Sequence, residues 1–348
     1  MARAVLDPAV RDFVAGGSGA EITLAANRAA LDGVFLRPRV LRDVAGCTTG
    51  TRLLGRPASV PVAIAPVAYQ RLLHPEGELA TARAAAAAGV PFIASTLSSV
   101  AIEELTTAGG DVWFQVYWLR DTGRTLDLVA RAEAAGCRAV VLTVDVPWMA
   151  RRLRDLRNGF TLPAGVRAAN LETGATAHTR EATTSAVARH TAEAFSPALS
   201  WDTVGLLRRS TRLPVVLKGI LAPEDARRAV DSGVDAIVVS NHGGRQLDGA
   251  LPAVDALAEV VAAVDGGYPV LVDGAIGSGT DVVRALALGA AGVLVGRPVC
   301  WALAAGGEPG VARALDLLTG EIRDALGLAG CATVAEAAAL GTVRGPAR

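Results

Sequence analysis

The chain of 348 residues is 51% hydrophobic and carries 34 basic and 34 acidic side chains, so its formal net charge at pH 7 is zero. Balanced and scattered charges give no electrostatic basis for binding nucleic acid or a membrane surface, and we expect neither partner. No segment reaches the roughly 18 to 20 uninterrupted apolar residues of a spanning helix, and the amino terminus lacks the layout of a signal peptide. The four cysteines have no metal-ligand spacing, so we expect reduced thiols, no metal site and a cytoplasmic location.

Short apolar runs bounded by turn residues recur along the chain and predict strands. Each run is continuously hydrophobic rather than alternating, which is typical of parallel strands covered on both faces. In chain order the runs are 61–66, 91–95, 112–118, 139–145, 214–219, 236–241, 269–274 and 292–297. Ala-rich segments lie between them and mostly end in glycine, as helices with a glycine C-terminal cap do.

Eight strand–helix units in succession predict an α/β fold of the (β/α)8 TIM-barrel type, with residues 1–348 as a single domain. An open doubly wound sheet is the alternative, but no GxGxxG sequence follows the first strand. Residues 1–60 precede the barrel and are predicted to cap its bottom or side. Residues 160–201, polar and without apolar periodicity, are predicted to form a long mobile loop after the fourth strand.

Polar side chains gather where the predicted strands end. In a (β/α)8 barrel the carboxyl ends of the strands form the face that carries the active site. Turn residues or helix caps alone would not place a lysine, a histidine, aspartates and arginines together on one rim, so we expect an active site there. The residues concerned are Ser95, Gln115, Tyr117, Thr143, Asp145, Lys218, Ser240, His242, Arg245, Asp273, Gly296 and Arg297.

The last two strands are followed by loops suited to a phosphate group. The loops read DGAIGSGTD (273–281) and GRP (296–298). Glycines let backbone N–H groups approach a phosphate, and the amino terminus of the next helix favours an anion. Arg297 adds a cation with bidentate donors. The pattern predicts a phosphate site on the loops after strands seven and eight.

Three kinds of side chain on the rim predict catalysis. Lys218 ends an apolar strand and is expected either to form a Schiff base or to stay cationic and stabilise developing negative charge. His242, with the carboxylate of Asp145 on the same rim, is expected to act as a general base. Arg245 and Arg152 are suited to a bidentate grip on a substrate carboxylate.

From about Phe13 to the carboxyl terminus, the chain resembles the FMN-dependent α-hydroxy-acid oxidases and dehydrogenases. The combinations APVAYQRL, YWLRD and VPWMARRLRD are most similar to the bacterial 4-hydroxymandelate oxidase branch of that family. The resemblance rests on SNHGGRQLDG (240–249), IAPVAYQRLLHPEGELATARAAAAAG, FQVYWLRD, LTVDVPWMARRLRDLRNGF, LPVVLKGI and ALGAAGVLVGRP.

The resemblance implies a role for each matching residue. It implies that His242 is the base, Asp145 its partner, Arg152 and Arg245 the carboxylate clamp, and Tyr117 a hydrogen-bond partner of the substrate. Contacts to the isoalloxazine and ribityl parts of FMN are implied for Val67, Ala68, Ser95, Gln115, Thr143, Lys218 and Ser240. Contacts to the FMN phosphate are implied for Asp273, Gly274, Ala275, Gly277, Gly296 and Arg297.

The implied reaction is the oxidation of a 2-hydroxy acid, mandelate or 4-hydroxymandelate, to the 2-keto acid, with O2 reoxidising the flavin to give H2O2. A homotetramer or octamer is also implied. The alternatives are a dehydrogenase or monooxygenase of the same family acting on lactate-like acids, and a non-catalytic flavin-binding barrel. A cofactor-free lyase using Lys218 as a Schiff base is a further alternative.

Two positions depart from the pattern of the family. Phe13 stands where most members have a tyrosine that binds the substrate carboxylate, and a lost hydrogen bond to a charged group is worth roughly 1.5 to 3 kcal/mol. This substitution favours a substrate with a larger apolar side chain. In DGAIGSG, Ala275 replaces a glycine and Gly277 replaces a phosphate-binding arginine, which predicts weaker retention of FMN.

Overall fold

The computed structural model describes residues 2–171, 191–264 and 267–345 of the chain. The segment before the barrel forms short helices, an edge strand and a hairpin. In order these are α1 (Ala2–Val5), α2 (Pro8–Ala15), α3 (Ile22–Asp32), β1 (Val34–Arg37), β2 (Thr51–Leu53) and β3 (Arg56–Ala58). Strands β2 and β3 pair with each other in antiparallel orientation.

Strands and helices alternate through the rest of the chain. In chain order they are β4 (Val62–Ile64), α4 (Glu78–Ala88), β5 (Phe92–Ser95), α5 (Ile102–Thr106), β6 (Val112–Val116), α6 (Thr122–Ala134), β7 (Val140–Thr143), α7 (Leu153–Asn158), α8 (Trp201–Ser210), β8 (Val215–Ile220), α9 (Pro223–Asp231), β9 (Ala236–Val239), α10 (Ala253–Ala263), β10 (Val270–Val272), α11 (Gly279–Ala287), β11 (Gly292–Val295), α12 (Arg297–Leu328), α13 (Val334–Ala337) and β12 (Gly341–Arg344). A 3-10 turn, Gln70–Leu72, follows β4, and α12 is interrupted at Gly306 and Gly307.

Within the described ranges, strands β4 to β11 form one closed barrel of eight parallel strands. Strands adjacent in the chain are adjacent in the barrel, and β11 closes the ring by pairing with β4, Val293 opposite Val62. Outside the barrel, β12 pairs antiparallel with β1. The predicted (β/α)8 TIM barrel is therefore confirmed, and each predicted apolar run overlaps one barrel strand.

The barrel strands are continuously hydrophobic because both of their faces are covered. Successive side chains of a strand point to opposite faces. In β5, Ile93 joins Trp113 in the cluster inside the barrel, whereas Phe92 and Ala94 belong to the layer that packs under the helices. All four residues of β5 are buried, so neither face has a position for a polar side chain before the strand ends.

The segment that precedes the barrel contacts both the bottom and the carboxyl end of the barrel. A Cβ atom at Gly292, the first residue of β11, would lie 2.8 Å from Leu53 of the hairpin, which places the hairpin at the bottom. Residues 13–28 lie at the opposite, carboxyl end, where Asn27 and Asn241 exchange hydrogen bonds of 2.9 and 2.8 Å. The expectation that residues 1–60 cap only the bottom or side needs this correction. No local sequence pattern indicates that Asn27 pairs with Asn241, which lies 214 positions away in the chain.

Residues 172–190 of the predicted mobile loop, 160–201, lie outside the described residues. The described flanks of the loop pack on the barrel. Phe160 stacks on Phe13 with ring centroids 4.6 Å apart, and Phe195 stacks on Tyr117 at 4.4 Å. Of the helices in the described ranges, none combines the length and the apolar character needed to cross a membrane.

Candidate active site

A cavity of about 420 Å³ opens at the carboxyl end of the barrel. Its size lies in the ordinary range for a cofactor or small-molecule site. Many residues singled out in the sequence line it: Phe13, Val67, Ala68, Ser95, Tyr117, Thr143, Arg152, Lys218, His242, Arg245, Asp273, Gly274, Ala275, Gly277, Gly296 and Arg297. Gln115, Asp145 and Ser240 each bond to a lining residue, namely Ser95, His242 and Lys218.

His242 and Asp145 form a hydrogen-bonded pair with Nδ1 of the imidazole 3.0 Å from Oδ1 of the carboxylate. His242 has a left-handed φ of 59°, and its backbone N–H donates to Ser240 Oγ at 3.0 Å. Such a conformation is uncommon for a residue other than glycine and points to a position fixed by its surroundings. Because Nδ1 is committed to Asp145, Nε2 is the nitrogen left for a ligand in the cavity.

Asp145 remains the anionic partner of this pair. Burial works to raise its pKa, but the charge of His242, the hydrogen bond from it and the charge of Lys218 together hold the pKa below its usual value. An ionised carboxylate at Nδ1 favours a proton on that nitrogen and so fixes the tautomer of the ring. Gly219 is required behind the pair, since a Cβ there would lie 2.7 Å from the Cβ of Asp145. Sequence reasoning missed Gly219.

Two buried guanidinium groups lie close to the Phe13 ring. The Cζ atom of Arg152 is 5.7 Å from the ring centroid and that of Arg245 is 5.4 Å from it. Arg245 also donates to the carbonyl of Gly16 at 2.7 Å. Burial, followed by the charges of Arg152 and of Arg297, lowers the pKa of Arg245 well below its usual value. This part of the cavity is therefore short of negative charge and suits a carboxylate.

Lys218 is a buried cation rather than a neutral amine. Its Nζ lies 2.8 Å from Asp273 Oδ2 and 2.7 Å from Ser240 Oγ. Burial works to lower its pKa, but the charges of Asp273 and Asp145 outweigh burial, so the pKa lies above its usual value. A Schiff base forms from a neutral amine. The geometry thus favours the second of the two sequence-based interpretations, a cation that stabilises negative charge.

Beside the loops predicted to bind a phosphate, Arg297 is held by backbone carbonyls. It donates to Val14 O, Gly16 O and Gly243 O, each at 3.1 Å. The neighbouring loop carries left-handed φ angles at Gly274 (99°) and Ala275 (60°). Arg28, which sequence reasoning missed, also lines the cavity beside this loop. Its helix lies more than 200 residues from the loop in the chain, and no local pattern connects them.

The residues present fit a bound FMN. In the part of the chain that the structure describes, Gln115 Nε2 and Asp273 Oδ1 are buried without a hydrogen-bond partner. Buried polar atoms are normally satisfied, so each of these calls for a polar ligand group. Lys218 supplies a cation for the electron-accepting ring, and the glycine-containing loops leave room for a phosphate. The cavity thus offers what a flavin nucleotide requires.

Comparison with known proteins agrees with this geometry. The chain matches the FMN-dependent dehydrogenase family over residues 2–341. It is 62% identical to 4-hydroxymandelate oxidase of Amycolatopsis orientalis, covering 99% of this chain and 96% of that one. It is 48% identical to L-lactate oxidase of a Nostoc species, covering 95% and 92%.

A solved structure has the same fold. The crystal structure of mandelate oxidase with (S)-4-hydroxymandelic acid superposes with a TM-score of 0.97 at 62% identity, covering 99% of this chain and 97% of that one. The predicted resemblance and FMN as the cofactor are confirmed, and the lyase without a cofactor is set aside. The chain belongs to the FMN-dependent dehydrogenase family, the group of FMN-dependent 2-hydroxy-acid oxidases and dehydrogenases expected from its sequence.

Proposed function

We propose that the protein oxidises an aromatic 2-hydroxy acid, mandelate or 4-hydroxymandelate, to the 2-keto acid, with His242 as the base. One observation carries the proposal. The His242–Asp145 pair and the buried guanidiniums of Arg152 and Arg245 line or adjoin one cavity. A proton acceptor and a carboxylate site in the same cavity are what the oxidation of a hydroxy acid requires.

Each group has a defined task in this reaction. The substrate carboxylate binds between Arg152 and Arg245, where the positive charges of Arg152 and Arg297 act on Arg245 more strongly than the negative charge of Asp155 does. Tyr117, whose ring stacks on Phe195, donates a hydrogen bond to the substrate. His242 Nε2 accepts one of the two protons that the hydroxy acid loses, and Asp145 stabilises the resulting imidazolium. When bound, FMN supplies the acceptor for the two electrons.

FMN itself is expected to bind along the wall formed by the ends of the strands. Gln115, Lys218 and Ser240 are positioned for the isoalloxazine and ribityl groups, together with Val67, Ala68, Ser95 and Thr143. Arg297, Gly296 and the loop from Asp273 to Gly277 are positioned for the phosphate. Lys218 would stabilise negative charge that the bound isoalloxazine gains.

An aromatic substrate is supported by the walls of the cavity and by the relatives. Phe13, Leu97, Met149 and Trp301 supply apolar lining, and a chain 62% identical carries the name 4-hydroxymandelate oxidase. A lactate-like acid is the second candidate, since an L-lactate oxidase is 48% identical.

We also propose that O2 reoxidises the flavin to give H2O2. We further propose that residues 1–348 act as a single domain in a cytoplasmic homotetramer or octamer.

An anaerobic screen tests the proposed substrate. We expect 4-hydroxymandelate and mandelate to bleach the flavin absorbance of the holoenzyme, with kcat/KM at least roughly tenfold above that of lactate or glycolate, because a matched apolar pocket discriminates by about 10 to 200-fold. Bleaching by none of the four acids would reject the enzyme and favour a non-catalytic flavin-binding barrel. Preference for lactate would establish the second candidate.

Phe13 is expected to disfavour small substrates. In Phe13→Tyr the new hydroxyl adds a hydrogen-bond partner for the substrate carboxylate, and we expect KM for lactate and glycolate to fall about tenfold, within the range of one charge-assisted hydrogen bond. Phe160→Tyr is the matched control. Phe160 stacks on the Phe13 ring, so this variant adds the same hydroxyl to the neighbouring ring, and we expect it to leave KM unchanged. Equal changes in KM for the two variants would show that the position of the hydroxyl is irrelevant.

A further inference from the structure

The loop at the proposed phosphate site is strained and lacks its own cation. Ala275 adopts a left-handed φ of 60°, a conformation that disfavours residues other than glycine. Gly277 has no side chain to offer a phosphate, although the resemblance leads one to expect an arginine at this position. A loop of this kind needs support from another part of the chain to keep its shape.

Arg28, on α3, provides contacts at both ends of the loop. Its Nη1 donates to the carbonyl of Ala275 at 2.8 Å and to Asp281 Oδ2 at 2.9 Å. Its Nη2 donates to Asp281 Oδ1 at 2.9 Å, which makes the ion pair bidentate. Asp281 in turn accepts a hydrogen bond from the backbone N–H of Gly277 at 3.0 Å. The ion pair therefore connects α3 to Ala275, to Gly277 and to the first turn of α11.

Arg28 acts through the loop rather than on the phosphate directly. Its Nε and Nη2 groups also donate to Asp32, at 2.9 and 2.6 Å. With Asp281 and the Ala275 carbonyl, these contacts engage all five N–H groups of the guanidinium. Asp281 is buried, with 2% of its surface exposed, and a buried carboxylate requires a paired cation. Loss of Arg28 would remove the bidentate partner of Asp281 and leave Arg284, whose Nη1 lies 3.1 Å from Oδ1, as its remaining cation among the described residues.

We propose that Arg28 is a positioning residue for the FMN phosphate: its bonds to Asp281 and to the Ala275 carbonyl hold residues 274–277 in the shape that receives the phosphate. This inference rests on the proposed location of the phosphate at this loop. The weaker retention of FMN that Gly277 predicts, where the family has an arginine, stays a prediction. Arg28 offsets part of that loss from another helix.

Titration of the apoprotein with FMN and with riboflavin, followed by flavin fluorescence, separates a phosphate effect from a general one. In Arg28→Met we expect the Kd for FMN to rise about tenfold or more, as for loss of one charge-assisted interaction. The Kd for riboflavin, which has no phosphate, should stay within about twofold. Arg131→Met is the matched control, because Arg131 is 40% exposed in its ion pair with Glu103 and Arg28 is 39% exposed.

A second substitution tests the same idea in the opposite direction. A Cβ at Gly277 would meet no atom closer than 3.9 Å, so Gly277→Arg is sterically allowed and places a cation at the phosphate. We expect Gly277→Arg to restore FMN affinity in Arg28→Met. If Arg28→Met does not fold, Arg28→Lys, which keeps the charge but not the bidentate geometry, should raise the Kd for FMN at least about threefold.

The outcomes distinguish the inference from the proposed function. An unchanged Kd for FMN in the Arg28 variants, or equal losses of FMN and riboflavin, would overturn the role of Arg28 and leave the proposed function intact. Wild-type apoprotein that binds neither flavin would instead overturn the proposed function.

Discussion

Anaerobic reduction of the flavin by substrate should slow by about 10² to 10⁴-fold in His242→Gln, the range that a general base contributes. Glutamine retains a hydrogen bond to Asp145, which lies 3.0 Å from His242 Nδ1, but it cannot accept the substrate proton. Stopped-flow absorbance of the bound flavin measures the step directly. Binding of FMN should be unaffected, since the loss is confined to the transfer of the proton.

Two further variants, Asp145→Asn and His74→Gln, are needed to interpret the result for His242→Gln. Asp145→Asn keeps the shape of the pair but removes the charge that stabilises an imidazolium, so a large decrease is expected there as well. His74→Gln is the control, because within the described ranges the side chain of His74 makes one local hydrogen bond, in which Nδ1 accepts from the backbone N–H of Glu76. Reduction in His242→Gln within about tenfold of the wild-type rate would rule out the base assignment.

The charge state of Asp145 determines how the stability that this residue contributes depends on acidic pH. Because its pKa in the folded protein lies below the usual value, ionised Asp145 adds stability that is fully present above about pH 3.9 and is lost as the pH falls through the folded pKa. The carboxylate is therefore ionised throughout the neutral range. We expect its contribution to acid unfolding to be absent in Asp145→Asn.

The barrel was predictable from sequence because its signals are local. Runs such as Val62–Ile64 are hydrophobic at every position, since each side chain of a parallel barrel strand is covered. The rule that active sites lie at the carboxyl ends of the strands then selected Thr143, Lys218 and His242, and the structure places all three along one cavity. In these cases a few consecutive residues carry the whole signal.

The parts that sequence reasoning missed depend on contacts between distant segments. Arg28 reaches Asp281 from another helix 253 positions away, and neither residue has a neighbour in the chain that indicates the pair. Gly219 is needed only because Asp145 packs against it. Residues 13–28 lie at the carboxyl end of the barrel because of the Asn27–Asn241 pair and not because of any periodicity of their own. Such features follow from packing rather than from local propensity.

Lys218→Met should lower the free energy of unfolding of the apoprotein at pH 7 by about 3 to 5 kcal/mol, the cost of breaking a buried ion pair from one side. Lys218 is the only lysine of the chain, and its side chain is 5% exposed beside Asp273, which is 11% exposed. Methionine fills a similar volume but leaves the Asp273 carboxylate buried without its cation. Chemical denaturation followed by circular dichroism measures the change.

The double variant Lys218→Met with Asp273→Asn separates the charge from the packing. Removing both charges should recover a large part of the lost stability, because two partners removed together leave no uncompensated buried charge, and contacting residues couple by about 0.5 to 3 kcal/mol. If the double variant lost the sum of the stability lost in the two single variants, Lys218 would contribute by packing alone.

The pH dependence of the stability difference between wild type and Lys218→Met gives an independent check of the Lys218–Asp273 ion pair. Since the pKa of folded Lys218 lies above its usual value, its contribution is fully present below about pH 10.4 and is lost as the pH rises through the folded pKa. The difference in stability between wild type and Lys218→Met should therefore be constant near neutrality and shrink only at strongly alkaline pH. A difference that shrank already between pH 7 and pH 9 would mean that Lys218 is a neutral amine in the folded protein, which would revive the Schiff-base interpretation of this residue.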